Sequence, residues 1–152
     1  MNKIIIIFVI ILLIFGGVIF YQLATHPAPK SKVTINTHTF SVKTATSSAE
    51  RQQGLSGVKS MPQDQGMLFI FDASEKYPFW MKDMKFALDI IYIRDDKIVQ
   101  IFQNVPTPKE NKAPLRIYQP TVPADRVLEI NAELSKKYNF KKNDKVKIVI
   151  AK

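Results

Sequence analysis

The chain has 152 residues, of which 46% are hydrophobic, and its 22 Lys and Arg against 13 Asp and Glu give a formal net charge of +9. This hydrophobic fraction excludes a disordered chain, and the length suits one ordinary domain. The absence of Cys excludes disulfides, thiol nucleophiles and zinc–thiolate sites, while two His and no Gly-rich phosphate loop predict no metal and no cofactor.

The first predicted element is a membrane anchor. Residues 4–21 are apolar without interruption, and the run continues beyond Gln22 to Ala24. A helix needs about 20 such residues to cross a bilayer. A cleaved signal peptide has a shorter apolar region and small residues at its cleavage site, which Ala24-Thr25-His26 matches poorly. Residues 1–24 therefore predict an uncleaved signal anchor, a single-pass helix with residues 4–24 in the lipid bilayer.

The side of the membrane is predicted from the short amino-terminal tail. Lys3 precedes the apolar run while Lys30 and Lys32 follow it, so the loop charges do not decide the orientation. A tail of three residues is typical of a secretory signal, which places the domain on the extracytoplasmic side of the cell membrane. The Pro-containing residues 25–32 then form a short spacer, and residues 33–152 form the domain.

The amino-terminal half of the domain begins with a predicted hairpin around residues 36–38. Ser47 followed by Glu50 is a capping-box pattern, which predicts a short helix that ends near Gly54 or Gly57. Residues 66–72 form an apolar run up to Asp72, without the alternation of a half-exposed strand. They therefore predict a central strand that is apolar on both faces.

The carboxyl-terminal half begins with a strand predicted at residues 77–82. A hairpin follows, residues 88–94 and 97–105, and then a Pro-rich loop, residues 106–123. The last predicted elements are a strand at residues 127–130, a helix at 132–138 capped by Asn131 and ended by Asn139, and a strand at 145–150. About seven short strands and two short helices predict a mostly β fold, a compact β-barrel or sandwich.

Several segments also resemble a known family. They are Arg51–Leu55, Gly66–Asp72, Phe79–Lys82, Leu88–Ile93, Pro123-Ala124, Val127–Glu129 and Asn143–Val146. In this order and spacing the chain resembles domain-of-unknown-function family 192, an uncharacterised prokaryotic family of small, mostly β domains, over about residues 33–150. The resemblance implies the fold and often an export signal, but no activity. The chain departs from the family at Ser56, usually Met, at Asp83-Met84, usually Asn-Thr, and at Glu133, usually Gly.

Asp89 is the most informative polar residue, because it shares a strand face with Ile91 and Ile93. A carboxylate among apolar neighbours is costly unless it is paired or hydrogen-bonded. One interpretation is a general acid or base. The residues favour the other, a structural acid bonded to Arg51, Lys82 or backbone N–H groups.

Asp72 and Asp89 together are the candidate catalytic residues of an alternative hydrolase, which would use them as a carboxylate pair. Asp72 also stands where an acid commonly caps a turn. Glu129 alternates with Val127 and Asn131 along its strand, which predicts a cross-strand partner of a Lys or Arg.

The candidate ligand-binding residues are Trp80, Lys82 and Asp83. Strand alternation places Trp80 and Lys82 on one face and Phe79 and Met81 on the other. An aromatic platform beside a cation suits a ligand with an apolar face and an anionic group, such as an acidic glycan or a peptide carboxylate. The alternative is that Trp80 fills the core.

Lys residues are concentrated in positions 136–147. They form either a solvated face, a contact with anionic lipid or wall polymer, or a nucleic-acid site; an extracytoplasmic domain rarely meets nucleic acid, so no nucleic acid is expected. The sequence favours a non-enzymatic domain that binds an anionic glycan, a peptide or an envelope protein. The alternatives are the hydrolase and an accessory subunit that docks on a membrane complex.

Overall fold

One sheet contains every strand in the described part of the chain. The computed structural model describes residues 11–13, 31–109 and 114–151. Its elements are β1 (Ser31–Ile35), β2 (His38–Ala45), α1 (Ser48–Gln53), β3 (Gln65–Glu75), β4 (Leu88–Arg94), β5 (Lys97–Val105), β6 (Ala124–Asn131), α2 (Leu134–Lys137) and β7 (Val146–Val149). The strand order is β5-β4-β6-β3-β2-β1-β7. The predicted mostly β fold is confirmed.

The sheet is curled, so that its two edge strands meet at one end. A bridge joins Lys97 of β5 to Lys145 beside β7, and the Ile98 N–H donates to the Asp144 carbonyl at 3.0 Å. All neighbouring strands are antiparallel except β2 and β3, which run parallel because α1 carries the chain across between them. The sequence predicted a barrel or a sandwich, and the structure is a half-barrel made from a single sheet.

The curl separates two apolar clusters. The inner cluster draws residues from all seven strands, including Val33, Leu68, Ile91 and Leu128, and therefore fills the inside of the curl. The outer cluster lies on the opposite face, and the chain segments that follow α1, β3 and β5 cover it. It includes Met67, Phe69, Ile90, Tyr92, Met81, Met84 and Tyr118. Strand alternation sends successive residues to these two clusters, which is why β3 is apolar on both faces.

Local sequence signals produce α1 as predicted. The Ser47 side chain accepts from the Glu50 N–H at 3.2 Å, and the Glu50 carboxylate accepts from the Ser47 N–H at 2.9 Å, which completes the capping box. These bonds hold the pKa of Glu50 down, at about 2. Gly54 ends the helix with φ of 48°, a conformation that suits Gly, and a Cβ there would lie 3.3 Å from the Phe69 ring.

One predicted element is wrong, and another is confirmed only in part. Residues 77–82 do not form a strand: Phe79 alone bridges to Tyr118, because Pro78 has no N–H to donate and the chain turns at Asp83. The helix predicted at residues 132–138 is reduced to α2, and Asn131 does not cap it.

The Asn131 side chain instead donates to the backbone carbonyls of Met61 and Pro62, at 2.9 and 3.1 Å. Glu133 occupies the position before α2 in the left-handed conformation, with φ of 70°. Asn139 is left-handed after α2, with φ of 56°, as predicted.

Most of the predicted anchor, residues 1–24, lies outside the described residues. Residues 11–13 are helical, with exposed side chains. Among the residues that the structure describes, no helix has both the length and the apolar character to cross a membrane. β1 begins at Ser31, two residues before the predicted start of the domain.

Candidate functional site

Asp89 is buried in a closed hydrogen-bond network. Its Oδ1 accepts from the N–H groups of Asn104 and Glu133, at 2.7 and 3.1 Å. Its Oδ2 accepts from the N–H and the hydroxyl of Ser135, at 2.8 and 2.6 Å. The carboxyl is fully buried, and its partners tie the end of β5 and the start of α2 to β4. This arrangement is that of a structural acid, bonded to backbone N–H groups rather than to Arg51 or Lys82.

The structure does not bring Asp72 and Asp89 together. Asp89 lies level with Ile130 of β6, which in turn pairs with Gly66 of β3. Asp72 is exposed and lies six residues further along β3, and the regularly paired part as far as Ile70 already spans about 13 Å at the usual rise per strand residue. Paired carboxylates of glycosidases are about 5–9.5 Å apart, so these two acids do not form such a pair.

A cavity of about 420 Å³ lies on the outer face of the sheet, between α1, β3 and the segment that carries Trp80. We call it the aromatic cavity. It is lined by Ser48, Arg51, Gln52, Gln53, Gly54, Leu55, Ser56, Phe69, Phe71, Tyr77, Pro78, Phe79, Trp80, Met84 and Glu129.

Ring contacts fix the walls of the aromatic cavity. Phe71 stacks on Tyr77 with ring centroids 3.6 Å apart, and Phe69 meets Phe79 edge to face at 4.9 Å. The Arg51 guanidinium lies over the Phe71 ring, 5.1 Å from its centroid. Arg51 also donates to the Thr46 carbonyl and, at 2.9 Å, to the Ile70 carbonyl, so this cation is held in the wall.

The segment over the cavity is attached to the sheet through Tyr92. The Tyr92 hydroxyl lies 3.0 Å from the Tyr77 carbonyl and 2.8 Å from the Tyr118 carbonyl. Phe79 and Tyr118 exchange backbone hydrogen bonds of 2.9 and 2.8 Å. Since Phe79 and Tyr92 also meet edge to face, the backbone that leads into Trp80 is held by both hydrogen bonds and ring contacts.

Among the residues that the structure describes, Glu129 is the only acid that lines the aromatic cavity. It lies on β6 between Met67 of β3 and Ile90 of β4, so the predicted cationic cross-strand partner is wrong. Its side chain is 5% exposed, and within the described part of the chain its carboxyl forms no hydrogen bond or ion pair. Burial raises the pKa of Glu129 to about 8.

The Glu129 carboxyl opens onto the cavity. Every fully enclosed side-chain oxygen or nitrogen in the described residues has a hydrogen-bond partner. Because Glu129 has none, its oxygens must retain contact with the cavity space rather than lie sealed in the core. The cavity thus has an acidic group at its base and aromatic rings around it.

Trp80, Lys82 and Asp83 all line a second cavity of about 640 Å³. We call it the outer trough; its lining is Ala49, Gln52, Gln53, Ser56, Gly57, Trp80, Lys82, Asp83 and Lys85. Trp80 lines both cavities and is 44% exposed, so it is not a core residue.

The loop after α1 holds the backbone of the outer trough. The Ser56 hydroxyl donates to the Lys82 carbonyl at 3.0 Å, and the Gly57 N–H donates to the Asp83 carbonyl at 3.1 Å. Asp83 is left-handed, with φ of 57°, a conformation that Asp tolerates better than most residues.

Other charged groups do not converge into a site. No group of three or more His, Cys, Asp or Glu side chains is placed to hold a metal ion in the described ranges. Each described Lys between positions 136 and 147 is exposed.

Comparison with known proteins places the chain in a family. The model of DUF192, described as "Uncharacterized ACR", matches residues 31–148. The chain belongs to this family. The resemblance found in its sequence motifs is therefore confirmed. A search of curated proteins finds no match.

Two solved structures are similar to this DUF192 chain. One is a protein of unknown function from Novosphingobium aromaticivorans, with 29% identity and a TM-score of 0.69, covering 78% of this chain and 83% of that one. The other is a Sinorhizobium meliloti protein, provisionally described as a transcription regulator, with 29% identity and a TM-score of 0.71 over 81% and 96% of the two chains.

The family motifs contribute residues to the aromatic cavity that sequence analysis did not assign to a site. Arg51, Phe69 and Phe79 come from three of the DUF192 motifs, and Glu129 ends a fourth. A signal for Glu129 was present: the two apolar strand motifs, residues 66–72 and 88–93, contain no Lys or Arg that could pair with it. Recognising that signal requires the knowledge that β6 lies between β3 and β4.

Proposed function

We propose that this DUF192 chain is a non-enzymatic binding domain whose ligand enters the aromatic cavity and extends into the outer trough. In this proposal, residues 4–24 hold the domain at the cell membrane, on its extracytoplasmic side. The observation that carries the proposal is the aromatic cavity itself, because a concave site lined by aromatic rings, with a buried acid at its base and a few other polar groups, is typical of ligand recognition.

The two cavities suit different parts of one ligand. The aromatic cavity offers rings and the Met84 thioether to an apolar part. The outer trough offers Lys82 and Lys85, both exposed, to an anionic or polar part such as that of a glycan or a peptide. Trp80 is the wall that both parts would share.

The structure also supports binding over hydrolysis by the carboxylate pair. Neither Asp72 nor Asp89 lines the aromatic cavity or the outer trough. Asp89 has its four hydrogen bonds inside the protein, so it has no free acceptor position to offer a substrate in the usual geometry.

Trp80 provides a direct test, since it is the only Trp of the chain. The full chain in detergent micelles is titrated with three small molecules of one shape: 3,3-dimethyl-1-butanol, choline and 3,3-dimethylbutanoate. At least one of them should change the Trp80 emission in a saturable manner. It should also shift the methyl NMR signal of Met84, which lines the aromatic cavity.

Met61 is the internal control, because it packs against the outer cluster but lines neither the aromatic cavity nor the outer trough. Its methyl signal should stay unchanged. If none of the three molecules changes both Trp80 and Met84 saturably, the proposed function is wrong.

A further inference from the structure

Within the described part of the chain, the acid in the aromatic cavity makes no contact that stabilises the fold. Glu129 is more than nine-tenths buried, its strand neighbours Met67 and Ile90 are apolar, and no described side chain pairs with its carboxyl. An unpaired buried carboxyl destabilises the folded state. Since it opens onto the cavity, its missing partner is best supplied from outside.

The rings around Glu129 indicate the charge of that partner. The faces of aromatic rings attract cations, and Trp is the strongest of them. Phe69, Phe71, Tyr77, Phe79 and Trp80 all line the cavity. The Arg51 guanidinium over Phe71 shows the same attraction within this wall, although its N–H groups are directed to backbone carbonyls.

An anion fits the inner site poorly. The ionised Glu129 carboxylate would repel it, and the protonated carboxyl would offer it a single hydrogen bond. A neutral apolar group would fill the rings but leave the acid unpaired. A cation satisfies the carboxylate and the rings together.

We propose that the aromatic cavity binds an organic cation, an ammonium group on an apolar stem, with the Glu129 carboxylate as its counter-ion. This inference rests on the proposed function and specifies the ligand group that reaches the base of the cavity. The ammonium group has two sources of the same chemistry, a small quaternary ammonium compound or the Lys side chain of a peptide.

Binding of the cation is coupled to release of a proton. In the empty cavity burial raises the pKa of Glu129 to about 8, so the carboxyl is mostly protonated at neutral pH. The other charged or titratable groups that line the cavity or face Glu129 are Arg51, Tyr77 and Tyr92. Burial raises the pKa of both Tyr hydroxyls above its ordinary value, so neither Tyr titrates between pH 6 and pH 8. Affinity for the cation should therefore rise about tenfold per pH unit up to about pH 8 and then level off.

The test compares each cation with a neutral molecule of the same shape, by Trp80 emission of the full chain at pH 8.5. Choline is compared with 3,3-dimethyl-1-butanol, and N-acetyl-lysine methylamide with N-acetyl-norleucine methylamide. At least one cation should bind about tenfold or more tightly than its neutral counterpart, and the stronger arm identifies the source.

Glu129→Gln should remove that preference, while the matched variant Glu75→Gln should retain it, because Glu75 is exposed and lines neither cavity. A second measurement needs no variant: calorimetry of the native chain at pH 7 in two buffers of different ionisation enthalpy should show that the cation displaces a proton.

Two results would overturn the inference and leave the proposed function standing. One is saturable binding in which the neutral molecules equal the cations. The other is cation binding without proton release and with no dependence on pH between 6 and 8. The absence of any saturable change would instead overturn the proposed function.

Discussion

Asp89 and Glu129 are two buried acids on adjacent strands, but their hydrogen bonding differs completely. Asp89 of β4 pairs with Ile130 of β6, the residue that follows Glu129, so the two acids lie on opposite faces of one sheet. Their exposed fractions are 0% and 5%. Asp89 accepts four hydrogen bonds, whereas the described residues offer none to Glu129.

The difference separates an acid that serves the fold from one that stays available. The hydrogen bonds to Asp89 connect three parts of the chain, and they occupy the acceptor positions of its carboxylate. Glu129 faces the aromatic cavity, and its unpaired state costs stability. A buried acid is normally paired or hydrogen-bonded within the fold, and one that is not is typical of a functional site.

The first prediction concerns the hydrogen-bond network of Asp89, whose loss should cost the most stability. Asp89→Ala leaves three backbone N–H groups and one hydroxyl without their acceptor, so the free energy of unfolding should fall by about 3–5 kcal/mol. Asp89→Asn keeps the shape but replaces one acceptor oxygen by a donor, and it should cost about 1–3 kcal/mol.

Urea unfolding of the full chain measures both changes, with Asp72→Ala as the control. Asp72 is exposed, so its removal should change stability by no more than about 0.5 kcal/mol. Equal losses for Asp72→Ala and Asp89→Ala would contradict the structural role of Asp89.

The second prediction concerns pH and the opposite acid. The pKa of Glu129 is about 8 in the folded chain, whereas its ordinary value, which applies to the unfolded chain, is 4.5. Between pH 4.5 and pH 8 the unfolded chain therefore releases a proton that the folded chain keeps. Stability is therefore full below pH 4.5 and falls as pH rises, by at most about 1.4 kcal/mol per unit.

Glu129→Gln cannot release this proton. Between pH 5 and pH 7 the variant should gain about 2–3 kcal/mol of stability relative to the native chain, measured by urea unfolding at each pH. Glu75→Gln should show no such gain. A constant difference between Glu129→Gln and the native chain at every pH would indicate that Glu129 is paired in the folded state.

The third prediction concerns the wall that the two cavities share. Because Trp80 is 44% exposed, Trp80→Ala should lower the free energy of unfolding by about 1 kcal/mol, well below the ~3–5 kcal/mol typical of a buried aromatic residue. Phe40→Ala provides that buried comparison, since Phe40 is 2% exposed. Similar losses for the two variants would return Trp80 to the core and remove it from the binding site.

The smallest expected effect concerns the backbone that supports Asp89. Glu133 donates its N–H to Asp89 from a left-handed conformation, which costs a residue other than Gly about 1–2 kcal/mol. Glu133→Gly restores the residue usual in the family. It should raise the thermal midpoint, with a net gain of about 0.5–1 kcal/mol after the greater freedom of Gly in the unfolded chain is included.

Glu133→Ala is the matched control, because Ala removes the same side chain but still has a Cβ. It should bring no gain in the thermal midpoint. A gain from Ala equal to that from Gly would assign the effect to the Glu side chain rather than to the backbone.

Features that depend only on neighbouring residues could be predicted from the amino-acid sequence. The capping box of α1 lies within Ser47–Glu50, and the bounds of β4 and β5 follow from an apolar pattern broken at Asp95-Asp96. A family motif also carries the apolar run of β3, from which its central place in the sheet was predicted. These signals act over a few residues, so they survive without knowledge of the fold.

The surroundings of the polar residues depend on contacts between distant parts of the chain, which could not be predicted from the sequence. Asp89 and Glu129 give similar patterns in the sequence, an acid in an apolar strand, but α2 and β5 bring N–H groups to the one, while β3 and β4 bring Met67 and Ile90 to the other. Strand order and the path of the covering segments are long-range properties. For this reason Glu129, predicted to form a cross-strand ion pair, is instead an unpartnered acid at the base of the aromatic cavity.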